Sequence, residues 1–167
     1  PRNMTVGGSK GSISGNYAME NADLLVAVGS RFVCQSDCSR TGYPNVRKVI
    51  NVNTDFEAAA HYQETIPLLG DAAPTLQHLI KSIKDYERNH RSTIGSIIDS
   101  KSDWIRDCFR KRQEWDEFRT SRYKKPALYD DVWGQEILTQ PAAIKAATDW
   151  ARSNNVVCFF DAGDPQA

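Results

Sequence analysis

Three short apolar runs, each closed by a small or polar turn, mark the first half of the chain. They are "DLLVAVGS" (23–30), "VRKVINVN" (46–53) and "IPLLGD" (66–71). Runs of this length that are bounded by turn residues are typical of strands buried in a sheet. We therefore predict three strands, which end in Gly, Asn or Asp.

Helical patterns separate and follow these strands. Residues 54–62 predict a helix with Thr54 as its N-cap. A second helix is predicted from Pro74, because apolar residues then recur at the spacing of one buried helical face: Leu76, Leu79, Ile80 and Ile83. Alternation of strands and helices with short connections predicts a parallel sheet with right-handed crossovers. Residues 1–85 are thus expected to form a partial Rossmann-like α/β domain with flanking helices.

The flanking segments have a different character. Residues 1–15 hold four of the ten glycines and predict a loop, and residues 16–22 predict a short helix. Residues 86–136 are heavily charged and predict a partly helical linker, with a loose apolar stripe of Ile98, Ile105, Cys108, Trp115 and Phe118. Basic residues interleaved with aromatic ones can indicate nucleic-acid binding. Acidic residues are mixed in throughout, so a solvated linker helix that packs its aromatic side chains on a neighbouring domain is favoured.

The last thirty residues predict a helix and a strand. Thr139 suits an N-cap and Pro141 a first helical turn. "VVCFF" (156–160) predicts a strand buried on both faces, and an acidic, glycine-bearing turn follows it. Residues 137–167 are therefore expected to open a second α/β domain. Because a strand of this kind needs covering elements, we expect the chain to be a piece of a longer protein.

Composition excludes several classes of partner. Basic and acidic residues balance at 21 each, so no net field attracts nucleic acid or an anionic membrane. No apolar stretch approaches the roughly 20 residues that cross a bilayer. The four cysteines form no CxxC pair: Cys34, Cys38, Cys108 and Cys158. Reduced thiols in a cytoplasmic protein are the preferred interpretation.

Candidate binding residues lie where the predicted strands end, the edge at which parallel sheets bind ligands. Gly29 allows close backbone approach and Arg31 can bind a phosphate or carboxylate, although a tight turn with a surface arginine is the favoured interpretation. Asn53 can bond a ribose hydroxyl or cap the next helix, and capping is the favoured role of Asp71. No glycine-rich nucleotide motif or HExxH motif is present. The histidines, His61, His78 and His90, fall in helical or linker contexts and predict surface or packing roles.

Four motifs in order resemble one family. "ENADLLVAVGSRF", "VRKVINVNTDFE" and "IPLLGDAAPTLQHL" are similar to the central domain of thiamine-diphosphate-dependent enzymes of the acetolactate-synthase type. "LTQPAAIKAATDWARSNNVVCFFDAGDPQA" resembles the opening of that family's C-terminal, diphosphate-binding domain. The resemblance covers about 15–84 and 137–167.

The resemblance implies a lyase, transferase or hydrolase that makes or breaks a C–C bond beside a carbonyl of a 2-keto acid or cyclic diketone. It implies thiamine diphosphate and Mg²⁺ as cofactors, and a homodimer or homotetramer. The edge of the diphosphate site would be Asp161, Gly163, Asp164 and Gln166. FAD is not expected, because "RFVCQS" replaces an acidic continuation and Asn53 stands where the family has an acid. This segment would be mainly scaffold and inactive alone, since most cofactor ligands of the family lie elsewhere.

A second hypothesis remains open: a nucleotide-binding Rossmann-like module with a regulatory or electron-transfer role. The flanking coding sequence distinguishes the two, since a downstream Gly-Asp-Gly motif followed by Asn favours the first hypothesis and a stop codon the second. If half of the sheet lies outside the chain, the strand at 23–30 or a neighbour has an unpaired edge and an uncovered apolar face. We then expect the chain alone to oligomerise or aggregate.

Overall fold

The structure is a computed structural model that describes residues 3–32, 41–60, 64–90 and 102–159. Five strands and five helices follow one another in these ranges. In chain order they are α1 (Ile13–Asn21), β1 (Leu24–Val28), β2 (Lys48–Asn53), α2 (Phe56–Ala60), β3 (Thr65–Leu69), α3 (Ala72–Asn89), α4 (Ser102–Lys124), β4 (Ala127–Asp130), β5 (Gln135–Leu138) and α5 (Gln140–Ser153).

The three predicted strands pair as a parallel sheet in the order β1-β2-β3. Val26 lies opposite Ile50, and Ile50 lies opposite Ile66, so β2 is bonded on both sides. The predicted strands and their parallel order are confirmed, and each strand is one to three residues shorter than its apolar run. The α/β class is likewise confirmed.

One face of the sheet carries the best-packed apolar cluster. Ala27, Phe32 and Val49 are buried there, and partly buried apolar side chains surround them: Leu25, Tyr43 and Val46. The ring of Tyr43 meets Phe32 edge-on, with centroids 6.4 Å apart. Phe32 and Tyr43 thus help to cover this face of the sheet.

The helix α3 contacts β2, which confirms the expected packing of this helix on the sheet. It begins at Ala72, two residues before the predicted start, because the carboxylate of Asp71 accepts the backbone N–H of Ala73 at 3.0 Å. Its apolar stripe is only half covered, and Ile80 and Ile83 are each 50% exposed.

The N-terminal loop is shorter than predicted, because α1 starts inside the 1–15 segment. Ser12 caps the helix by accepting the N–H of Gly15 at 2.8 Å, and the buried hydroxyl of Ser14 donates to the Met4 carbonyl at 2.8 Å. A Cβ on Gly15 would overlap the Val6 carbonyl, so glycine is required where the loop crosses the helix. Hydrogen bonds of the Ser12 and Ser14 hydroxyls therefore stabilise the start of α1, in a segment whose glycines predicted a loop.

The charged linker contains the long helix α4, which packs on α1. Trp104 stacks on Tyr17 with ring centroids 5.9 Å apart, and Cys108 is buried beside them. Burial raises the pKa of the Cys108 thiol. The helix thus packs one aromatic side chain, Trp104, on α1, and its packing on a separate domain stays a prediction. Ile98 lies outside the described residues.

Ion pairs cover the solvated side of α4. The guanidinium of Arg112 binds both carboxylate oxygens of Asp116, at 3.0 and 3.2 Å, and also donates to the Asn3 carbonyl at 3.1 Å. The hydrogen bond from Arg112 lowers the pKa of Asp116. Arg112 therefore connects the helix to the N-terminal loop.

The hairpin β4–β5 was not predicted, because residues 126–136 were interpreted as linker. Its strands pair antiparallel, with Leu128 opposite Ile137. Asp130 accepts the N–H groups of Val132 and Trp133, and Gly134 adopts φ 63°. Val132 is 91% and Trp133 is 73% exposed at the tip.

The C-terminal part differs from the prediction. Thr139 occupies the N-cap of α5 as expected, but its hydroxyl makes no capping bond. Residues 156–159 do not form the predicted strand, and Phe159 is 92% exposed. A strand requires a hydrogen-bonding neighbour, and the described residues place none beside this segment. Phe160 lies outside the described residues. The described helices include none long and apolar enough to cross a membrane.

Removing the cap of α3 should destabilise the protein. Asp71→Ala leaves the N–H of Ala73 without its partner, so we expect the free energy of unfolding to fall by about 1 kcal/mol in urea titrations. Asp85→Ala is the matched control, since Asp85 makes only an exposed ion pair with Arg88 on the same helix. Equal losses in the two variants would contradict this role of Asp71.

Candidate functional site

The turn after β1 lies against the end of β2. The N–H of Gly29 donates to the Val52 carbonyl at 2.8 Å, and Gly29 has φ 65°, a conformation that favours glycine. No heavy atom lies within 4 Å of the position that a Cβ on Gly29 would take. Arg31 follows two residues later and is exposed. The turn therefore offers open backbone and a guanidinium at the carboxyl edge of the sheet.

Asn51 is the polar residue that holds this turn in place. It is fully buried on the central strand, and its amide nitrogen donates to the carbonyls of Ser30 at 3.1 Å and of Ala58 and Ala59 at 3.3 Å. Its oxygen Oδ1 is buried without a hydrogen-bond partner. The side chain thus joins the β1 turn, β2 and α2.

Asn53 reaches the same carbonyl from the end of β2. Its amide nitrogen donates to Ser30 at 3.2 Å, and its oxygen accepts the N–H of Asp55 at 3.2 Å. The Asp55 carboxylate in turn accepts the N–H of Glu57 at 2.9 Å. Asp55 therefore takes the capping role predicted for Thr54, which is wrong because α2 begins only at Phe56.

The end of β3 joins this edge through its backbone. The N–H of Gly70 donates to the Asn53 carbonyl at 3.0 Å, and Gly70 has φ 152°. Asp71 then caps α3, which confirms the favoured alternative for that residue. The structure thus brings Gly29, Arg31, Asn53 and Asp71 to one edge of the sheet, as the strand-end argument predicted.

The chemistry available at this edge is limited by these internal bonds. Asn53 and Asp71 already bond backbone groups, which leaves the exposed Arg31 as the charged group for a ligand. Among the described residues, no group of three or more His, Cys, Asp or Glu side chains could hold a metal ion. The ligand roles of the four residues remain predictions.

Other predicted residues lie away from the strand ends or outside the described ranges. His78 is exposed, and His90 is an exposed residue that stacks on Tyr86 at 4.0 Å. Cys108 and Cys158 are free thiols, as predicted. The remaining predicted positions lie outside the described residues: Cys34, Cys38, His61, Asp161, Gly163, Asp164 and Gln166.

Sequence reasoning missed the part that Asn51 plays. It was included only in the polar turn at 51–55, although its neighbour two positions earlier, Val49, is a core residue. In a strand, residues two apart share a face. The sequence therefore places Asn51 on the buried face of β2. A buried asparagine indicates that its amide has hydrogen-bond partners, and here these are backbone carbonyls.

Removing the Asn51 amide should cost more than removing that of Asn53. Asn51→Ala removes from a fully buried position the amide that donates to three backbone carbonyls, that of the buried Ala59 among them, so we expect a loss of roughly 2 to 3 kcal/mol in the free energy of unfolding. Asn53→Ala is the matched control and should cost under about 1 kcal/mol, because water reaches that position. Chemical denaturation measures both. A smaller loss for Asn51→Ala than for Asn53→Ala would contradict the role of Asn51.

Comparison with known proteins identifies related sequences. The chain is 24% identical over 161 residues to a 3D-(3,5/4)-trihydroxycyclohexane-1,2-dione hydrolase of Halalkalibacterium halodurans, which covers 96% of this chain and 24% of the relative. The protein of that name from Lacticaseibacillus casei is 26% identical over 99% of this chain and 24% of its own length. A probable acetolactate synthase large subunit of Methanococcus aeolicus is 27% identical over 59% of this chain and 16% of its length.

These relatives are longer proteins, and the chain spans about a quarter of the length of the first two. No solved structure matches the chain. Residues 1–79 match the family described as thiamine pyrophosphate enzyme, central domain. Those residues contain the parallel sheet β1-β2-β3 and the strand-end turns. The match agrees with the resemblance of their strand motifs to the central domain of thiamine-diphosphate-dependent enzymes.

Proposed function

We propose that this chain is a scaffold segment of a thiamine-diphosphate-dependent enzyme that hydrolyses a C–C bond in a cyclic 1,2-dione. The carrying observation is the extent of the matches. The hydrolases of Halalkalibacterium halodurans and Lacticaseibacillus casei match 96% and 99% of the chain, whereas the acetolactate synthase relative matches 59%. The similarity to these hydrolases therefore extends over nearly the whole chain.

The internal bonding of the strand ends supports a scaffold role for residues 1–85. The carbonyl of Ser30 accepts from both Asn51 and Asn53, and Asp71 is occupied as a helix cap. Groups used in this way stabilise the edge of the sheet and are not free for a reacting molecule. Gly29 and Arg31 would then be the positions from which this edge contacts a bound anion.

Thiamine diphosphate would supply the reaction chemistry, by adding to a carbonyl and storing the carbanion that C–C cleavage leaves. Asp161, Gly163, Asp164 and Gln166 would hold the edge of its diphosphate, and Mg²⁺ would be required as the second cofactor. Gly163 would allow backbone N–H groups to approach the diphosphate. In the proposed enzyme these residues bind and orient the cofactor, and a homodimer or homotetramer completes the cleft.

The chain by itself should bind thiamine diphosphate too weakly to measure. Four edge residues give few contacts, and binding first has to offset several kcal/mol of lost translational and rotational freedom. We expect no heat of binding above dilution when thiamine diphosphate and Mg²⁺ are titrated into the 167-residue chain. Tight, Mg²⁺-dependent binding would contradict this claim. An ADP titration serves as the second arm, since binding of ADP would favour the nucleotide-binding alternative.

The protein encoded by the complete reading frame should open a cyclic 1,2-dione. We expect the dione to be consumed and a ring-opened acid to form, in a reaction that requires thiamine diphosphate and stops when a chelator removes Mg²⁺. Mass spectrometry of the products measures this. Pyruvate is the control substrate. Condensation of pyruvate without hydrolysis of the dione would instead place the enzyme with acetolactate synthases.

A further inference from the structure

We draw no further inference here: the strongest candidate, the cleft between α4 and α5 that Arg119 and Lys145 line, carries nothing, because both cations already pair with aspartates and nothing in the structure shows what covers the cleft.

Discussion

The structure of the first half of the chain depends on β2 being hydrogen-bonded on both sides. A strand in that position is buried on both faces, and Val49 and Val52 are each only 1% exposed. Burial of the strand makes every polar group on it costly unless it is bonded. The amide nitrogen of Asn51 meets this constraint by donating to carbonyls from the β1 turn and from α2, whereas its oxygen Oδ1 is buried without a partner. The geometry of the strand ends therefore follows from the burial of the central strand.

Much of the sheet could be predicted from local sequence, because each strand is an apolar run closed by a turn residue. The hydrogen bonds between side chains and backbone at the edge of the sheet could not be predicted in this way. The carbonyls that Asn51 binds belong to Ser30, Ala58 and Ala59, which lie up to 21 residues away along the chain. The hairpin β4–β5 was missed because its strands are four residues each and mostly exposed, so they show little apolar alternation.

The segment 156–159 shows the converse limit of sequence reasoning. Its composition is that of a buried strand, but composition specifies only which environment a segment requires. The described residues offer it no neighbour, and Val157 and Phe159 remain exposed. The open edge of β1 follows the same rule, since its residues are suited to an interior strand. Both segments have the composition of interior strands, and both expose apolar side chains in this chain.

The central claim is that residues 1–79, which match the thiamine pyrophosphate enzyme central domain, contain a parallel sheet with β2 in the middle. Amide hydrogen exchange, resolved by residue, tests this most directly, because bonded and buried amides exchange slowest. The account predicts the greatest protection at Val49 to Val52 of β2, above that in α3 and in the β4–β5 hairpin. Exchange of the β2 amides as fast as that of the exposed hairpin would contradict it.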